Sequence, residues 1–194
     1  IMTQLLLLIP TSSCHFPYSQ TIIMWSSKNF QIARMGSDMN IRKAENKDIG
    51  KIEELLEQVS EVHHEARPDL FKCSGTKYDE TELELLIKDE RRPIFVETDD
   101  NDEAVGYAMC VIISHSDDNV LTDIRTLYID DLCVDEGHRG MHIGKDLYDH
   151  VLLFAREKGF YNVTLNVWNG NEHAITFYGK CGMKVQKYGM EVIL

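Results

Sequence analysis

From Tyr128 to Gly144 the chain reads Tyr-Ile-Asp-Asp-Leu-Cys-Val-Asp-Glu-Gly-His-Arg-Gly-Met-His-Ile-Gly, an apolar strand that passes through an arginine and glycine turn straight into a helix. The helix is marked by Ile143, Leu147, Val151, Phe154, Ala155 and Lys158 at steps of three and four, and Gly159 stands where a C-terminal stop belongs. The first N–H groups of a helix have no acceptor in a preceding turn, and the helix dipole adds positive potential at the same place. The junction is therefore an anion site of the kind a diphosphate needs. Tyr161 to Val167 resumes a strand, so two parallel strands joined by a right-handed crossover are expected. A nucleotide-bearing cofactor then belongs at the carboxyl end of the first strand.

Two common nucleotide loops are excluded. Gly144 is followed by Lys145 and Asp146 rather than by Lys and then Ser or Thr, and the glycine spacing of the nucleoside-triphosphate loop is wrong. The G-x-G-x-x-G spacing of a dinucleotide fold is missing as well.

The turn Arg139-Gly140-Met141-His142-Ile143-Gly144 resembles the R/Q-x-x-G-x-G/A loop of the GNAT superfamily of acetyl-CoA-dependent N-acetyltransferases. Asn171-Glu172-His173-Ala174-Ile175-Thr176-Phe177-Tyr178-Gly179-Lys180-Cys181-Gly182-Met183 resembles that superfamily's N-x-x-A-x-x-F-Y-x-K-x-G-F/M segment, in the same order and spacing. The likeness extends more loosely from Met39 to Leu194. One residue departs from it: His142 stands where the family usually has a loop glycine. A side chain there implies crowding of the cofactor, a strained backbone, or an imidazole offered to a phosphate; an outward-facing loop histidine is the plain alternative.

Composition sets the remaining limits. Ile1 to Ser27 contains no Asp, Glu, Lys or Arg while the rest is densely charged, which places a boundary near Gly36-Ser37-Asp38-Met39. Residues 1–38 are read as an N-terminal extension and 39–194 as the acetyltransferase-like domain. The extension is either vector-derived or translated upstream sequence, or a true segment that docks on a partner. Its apolar run Leu5 to Ile9 is stopped by Pro10, far short of the ~20 residues of a membrane span. The net charge of −12 argues against nucleic acid or an anionic membrane as partner and suits a cationic substrate. Cys14, Cys73, Cys110, Cys133 and Cys181 lack metal-type spacing, so reduced thiols and a cytoplasmic setting are expected.

The order of elements is strand, two helices, three strands, helix, strand, helix, strand. Asn40 to Ala44 opens it, and Ile49, Ile52, Leu55, Leu56, Val59 and Val62 form one helical stripe. A long loop, His63 to Tyr78, leads to a capping box at Asp79 and Glu82. Ile94 to Glu97 and Ala104 to Ser114 read as a hairpin, Leu121 to Val134 as a long strand, and Lys184 to Leu194 as the closing strand. That order fits an α/β fold with a mixed sheet. The resemblance refines it to a mostly antiparallel sheet with flanking helices, whose central parallel strands splay apart.

The resemblance also implies roles. Backbone groups of Leu132, Cys133 and Val134, left unpaired by the splay, hold the pantetheine arm of acetyl-CoA. The Arg139 side chain and the backbone from Gly140 through Met141, His142, Ile143 and Gly144 to Lys145 hold the diphosphate, and Asn171 touches the arm from the opposite side. Acetyl transfer needs a neutral amine, yet a primary amine of pKa ~10 is mostly charged at pH 7, which costs roughly a thousandfold, or about 4 kcal/mol. Asp130 is the expected base. Asp131 points to the other face by strand alternation unless a bulge intervenes, and two carboxylates that merely attract a cation are the plain alternative. A backbone N–H of Leu132 or Val134 is the expected oxyanion donor. Tyr178 is the expected general acid. Cys133, with no base beside it, is read as strand packing, and His63-His64 as an exposed pair that cannot share a ligand face; no metal is expected. The resemblance implies a homodimer. The acceptor is a small-molecule or peptide amine, with contacts in the His63 to Tyr78 loop and near His115 to Leu121. The competing function is an acyl-CoA-binding sensor or scaffold without catalysis.

Overall fold

A computed structural model describes residues 40–116 and 118–194. The expectations for the 1–38 extension and for Cys14 lie outside the described residues. Ile49, Ile52, Leu55 and Leu56 recur on one face of α1 (Ile49–Ala66), and all four are buried. Asp48, immediately before α1, is also buried and is gripped by both terminal nitrogens of Arg42 at 2.7 and 2.9 Å. The stripe ends earlier than expected, since Val62 is exposed, and α1 carries the chain four residues into the segment read as loop. The expected capping box opens α2 (Glu80–Lys88): the Asp79 side chain accepts from the Glu82 N–H, and the Glu82 side chain accepts from the Asp79 N–H.

Five strands form one sheet in sequential order: β1 (Asn40–Lys43), β2 (Ile94–Thr98), β3 (Ala104–Ser114), β4 (Arg125–Val134) and β5 (Asn162–Thr164). The first three pairings are antiparallel and the last is parallel. Alternation along the strands divides the core. Ile94, Val96, Tyr107 and Met109 face α1 and α2, whereas Phe95, Ala108 and Cys110 face α3 (Ile143–Glu157) on the opposite side. The α3 stripe Ile143, Leu147, Val151 and Ala155 is buried as its spacing predicts, and Gly159, at φ 69°, turns the chain out of the helix.

β4 changes sides partway along. Ile129 lies opposite Cys110 and Asp131 opposite Met109, so Asp130 has no counterpart and forms a β-bulge. Leu127 and Ile129, before the bulge, belong to the α3 core. Cys133, after it, belongs to the α1 core. Without the extra residue all three would share one face.

Three expected strands are corrected. β4 begins at Arg125, because Val120 and Leu121 donate their N–H groups to the Asp118 side chain and Ile124 to the carbonyl of Thr122, bonds that replace a ladder. β5 is shorter than Tyr161 to Val167, for its pairing ends at Tyr128 opposite Thr164. Lys184 to Leu194 forms no strand. A strand requires a partner in register, and none pairs with this segment among the described residues. Its Val185, Tyr188, Met190, Val192, Ile193 and Leu194 are exposed.

Helix α3 lies close to the sheet at Gly106, where a Cβ would come 2.9 Å from the Cys133 carbonyl oxygen and 3.1 Å from Ile143 Cγ2. Under the same helix Glu97 is buried beside Asp146, and one of its oxygens, Oε2, makes no hydrogen bond. Burial, reinforced by the charge of Asp146, pushes the Glu97 carboxyl up to about 7. Below its ordinary value of 4.5 the group is protonated both folded and unfolded and costs nothing. Between 4.5 and about 7 the unfolded chain ionises this acid while the folded chain still holds its proton, so stability falls across that window and levels off above 7. Glu97→Gln removes that loss. Urea unfolding should show a gain that grows from near zero in acid to roughly 2–3 kcal/mol above neutrality.

Candidate active site

The turn after β4 is built around Asp135. Its side chain accepts from the Gly137 N–H at 2.9 Å and pairs with Lys51 at 2.7 Å, and Lys51 holds the carboxyl down at about 2. A single 3-10 turn, Glu136–His138, follows. Gly140 then takes φ 82° and His142 φ 72°, so the position where the resemblance expects glycine does adopt a left-handed backbone. His142 is the N-cap of α3, and its carbonyl accepts from Lys145 and Asp146 while its side chain caps nothing. The N–H groups of Ile143 and Gly144 stand at the start of the helix with no earlier turn to bond to.

The expected phosphate residues therefore differ in what they offer. Met141 is exposed at the turn. The Lys145 N–H is taken by His142, and its ammonium pairs with Asp149 one turn on. The Arg139 side chain folds back, donating to the Val134 carbonyl at 3.3 Å and to Gln58 at 3.4 Å. Gly144 lies where a Cβ would meet Val134, Phe177 and Leu132 at 3.5 to 3.8 Å, so the helix start, the end of β4 and α4 (Glu172–Lys180) converge on one point.

Because β4 and β5 part after Tyr128, the residues from Ile129 to Val134 have no parallel neighbour among the described residues. The bond from the Asp135 N–H to the Val105 carbonyl sets the alternation on the β3 side. By that alternation Cys133 turns its backbone groups to Tyr107, and Leu132 and Val134 turn theirs into the gap. Cys133 thus separates from its two neighbours. Its buried thiol lies 3.6 Å from the Leu55 carbonyl, and burial pushes it up to about 12. Asn171 caps α4, its side-chain oxygen accepting from the Ala174 N–H at 3.0 Å.

Tyr178, on α4, packs against Phe177 and Tyr148 with ring centroids 5.0 and 6.1 Å away. Burial, and after it the charge of Asp131, drives its phenol well above the usual range. It keeps its proton.

The bulge brings together two carboxylates that simple alternation would separate. Asp130 Oδ2 accepts from Lys77 Nζ at 2.8 Å and from the Tyr78 hydroxyl at 3.4 Å, while Asp131 Oδ2 accepts from the Tyr107 hydroxyl at 3.2 Å. Tyr107 belongs to the α1 core and Tyr78 packs against it, so both acids lie toward that side of the sheet. Burial raises Asp131 to about 6 against the opposing influence of Lys77 and Tyr107. A shallow crevice beside Asp130 is lined by Tyr78, Arg92 and Met109.

Lys77 and Tyr78 belong to the His63 to Tyr78 loop expected to supply acceptor contacts, but neither they nor Tyr107 stand out within the sequence. No motif flags them, because a loop starting more than fifty residues upstream delivers the first two. The histidine pair is corrected too. His63 and His64 are half-buried: the His63 ring lies 5.0 Å from Phe71, and His64 Nδ1 is 2.7 Å from the Phe71 carbonyl. Phe71 in turn meets Trp168 edge-on at 5.4 Å, with the Arg67 guanidinium 5.7 Å over the same indole. Thus the segment after α1 is pinned to the segment after β5. No cluster of metal-binding side chains and no helix long and apolar enough to cross a membrane occurs among the described residues.

A split mixed sheet with a strand–turn–helix junction at the split defines a class of α/β protein, and comparison with known proteins identifies it. Residues 59–183 match the acetyltransferase (GNAT) family, and the chain belongs to that family. It is 27% identical over 149 residues to the peptidyl-lysine N-acetyltransferase YjaB of Salmonella typhimurium, covering 76% of this chain and 84% of that protein. It is 37% identical over 94 residues to N-alpha-acetyltransferase 50 of Danio rerio, 48% of each chain. A crystal structure of a mutant of the BH1408 protein from Bacillus halodurans superposes with a TM-score of 0.76 at 28% identity, covering 80% of this chain and 99% of that one.

The left-handed backbone at His142 costs a side-chain-bearing residue about 1–2 kcal/mol, partly offset in a glycine variant by ~0.5–1 kcal/mol of extra chain entropy. His142→Gly should accordingly raise stability by about 0.5–1 kcal/mol in urea unfolding. A loss would show instead that the imidazole makes a stabilising contact.

Proposed function

We propose that the chain moves an acetyl group from acetyl-CoA to a primary amine by direct attack in a ternary complex. The observation that carries the proposal is the bulge at Asp130, which sets two carboxylates on one side of the sheet next to the split, with the charge of the second reaching the Tyr178 phenol. Acetyl-CoA fits the chain on two counts. Leu132 and Val134 turn backbone donors and acceptors into a gap where strand pairing has stopped, and Ile143 and Gly144 present helix-start N–H groups at its end. In this reading Arg139 and the backbone from Gly140 to Gly144 hold the diphosphate, and Leu132 and Val134 hold the amide-bearing arm. When bound, the coenzyme supplies an activated acetyl thioester.

The chain's own residues divide the remaining work. Asp130 attracts the acceptor as an ammonium ion. The base expected at Asp130 moves to Asp131 in this proposal, because Asp131, raised to about 6, is a carboxylate at neutral pH yet basic enough to take a proton from the amine. The Leu132 N–H is engaged by the Asp131 carboxylate, so the Val134 N–H, which faces the gap, serves the developing oxyanion. Tyr178 keeps its proton until the thiolate leaves. The name of the Salmonella typhimurium relative and the paired acids together favour a lysine-type alkylammonium as acceptor. A cytoplasmic homodimer belongs to the same reading. A second reading, acyl-CoA binding without transfer, draws on the left-handed His142 in the phosphate turn.

Calorimetric titration of acetyl-CoA into the full chain, with an amine panel assayed beside it, tests the proposal; absence of heat ends it, and heat without transfer favours the second reading. Tyr178→Phe should retain coenzyme binding while kcat falls about 10²-fold, the usual scale for a lost general acid. The kcat/KM of the native chain should fall about tenfold per pH unit below about 6 as Asp131 takes up its proton. Asp131→Asn should lose that limb, and a limb that persists in the variant assigns the base elsewhere.

A further inference from the structure

We propose that Lys77 is a built-in acceptor: its side chain occupies the place meant for the acceptor amine, and the chain acetylates it in cis, which frees the site for outside amines. This inference rests on the acetyl-transfer reading. Lys77 lies in the segment between α1 and α2 that forms neither helix nor strand, two residues before the cap of α2. Its Nζ sits 2.8 Å from Asp130 Oδ2 and 5.5 Å over the centre of the Tyr78 ring. The charge of Asp131 acts on it as well. A carboxylate, an aromatic face and a second acid are what a primary alkylammonium needs, and the ion that meets them here is on an unbranched four-carbon arm from the chain itself.

Other lysine ion pairs do different work. Lys51 braces Asp135 behind the phosphate turn, and Lys145 pairs with Asp149 along the outside of α3. Lys77 alone among these binds a carboxylate of the bulge. Its side chain is 41% exposed and the partner aspartate 22%, so the pair is open to exchange with an amine from solution. A half-exposed pair of this kind is weak, and its displacement is correspondingly easy.

The chemistry balances. Asp131 takes a proton from the Lys77 ammonium and releases it to solvent, and the neutral Nζ attacks the thioester carbonyl to form the C–N bond. The nitrogen then gives its second surplus proton to Asp131 as the C–S bond breaks, the thiolate takes the Tyr178 proton, and the proton on Asp131 returns through solvent to the phenolate, so that one proton is released overall. The products are N-acetyl-lysine and the free thiol. The acetylated side chain is neutral and can no longer pair with Asp130, so an outside ammonium meets an open carboxylate.

The test uses the full chain with isotope-labelled acetyl-CoA, peptide mapping by mass spectrometry, and n-butylamine as acceptor probe. Label should gather on Lys77 faster than on the exposed Lys158, at a rate per molecule that does not change with protein concentration, and Lys77→Arg should abolish it. Label on Lys77 no faster than on Lys158, or a rate that climbs with protein concentration, overturns the proposal. Titration of n-butylammonium without coenzyme gives an independent readout: Lys77→Gln should bind it about two- to fivefold more tightly, and unchanged affinity overturns the occupancy. Transfer to n-butylamine with Lys77 unlabelled ends this inference and leaves the acetyl-transfer reading standing. No transfer to either amine ends both.

Discussion

One extra residue in β4 governs the arrangement of the chemically capable groups. Strand alternation is strict, so inserting Asp130 into the ladder reverses the facing of every later residue. Leu127 and Ile129 fill the core under α3, and beyond the bulge Cys133 fills the core under α1. The reversal carries Asp131 to the side already occupied by Asp130. The acids then meet Tyr107 from the neighbouring strand and Lys77 and Tyr78 from the segment before α2. Burial does the rest, raising Asp131 into the range where a carboxylate can exchange protons near neutrality.

The parting of β4 from β5 works with the bulge. Three residue pairs hold the parallel strands together, after which β4 continues with one edge open. An open backbone edge beside a helix start is a linear array of donors and acceptors ending in positive potential, which suits a long ligand with amides at one end and phosphates at the other. The close approach of α3 to the sheet at Gly106 sets where that helix begins. Strain at His142 and the buried acid Glu97 lie at the same end of α3, so the turn that starts this helix is also where the fold carries local cost.

Much of this was legible in the residues. Periodicity marked α1 and α3, Asp79 and Glu82 marked the start of α2, and the turn from Arg139 to Gly144 marked the junction, because each depends on neighbours within a few positions. The closing strand from Lys184 to Leu194 misled, since its apolar side chains describe a preference whereas a strand exists only in a ladder. The His63–His64 pair misled for a related reason: Phe71 and Lys77, which surround His63, reach it through loop geometry. Lys77 and Tyr78 were legible only as members of the His63 to Tyr78 loop where acceptor contacts were expected, and Tyr107 carried no local signal.

By itself, then, the sequence determined the order of elements from β1 to α4, the strand–turn–helix junction at Arg139 to Gly144 and the likeness to the acetyltransferases, all of which follow from short-range spacing and backbone chemistry. Only the tertiary structure decided that Asp130 and Asp131 share a face, that Cys133 turns away from the gap while Leu132 and Val134 face it, and that a lysine from a distant loop rests on the first acid. Those outcomes depend on register between strands and on the path of a long connection. Both are set by how whole surfaces pack, and no window of neighbouring residues records them.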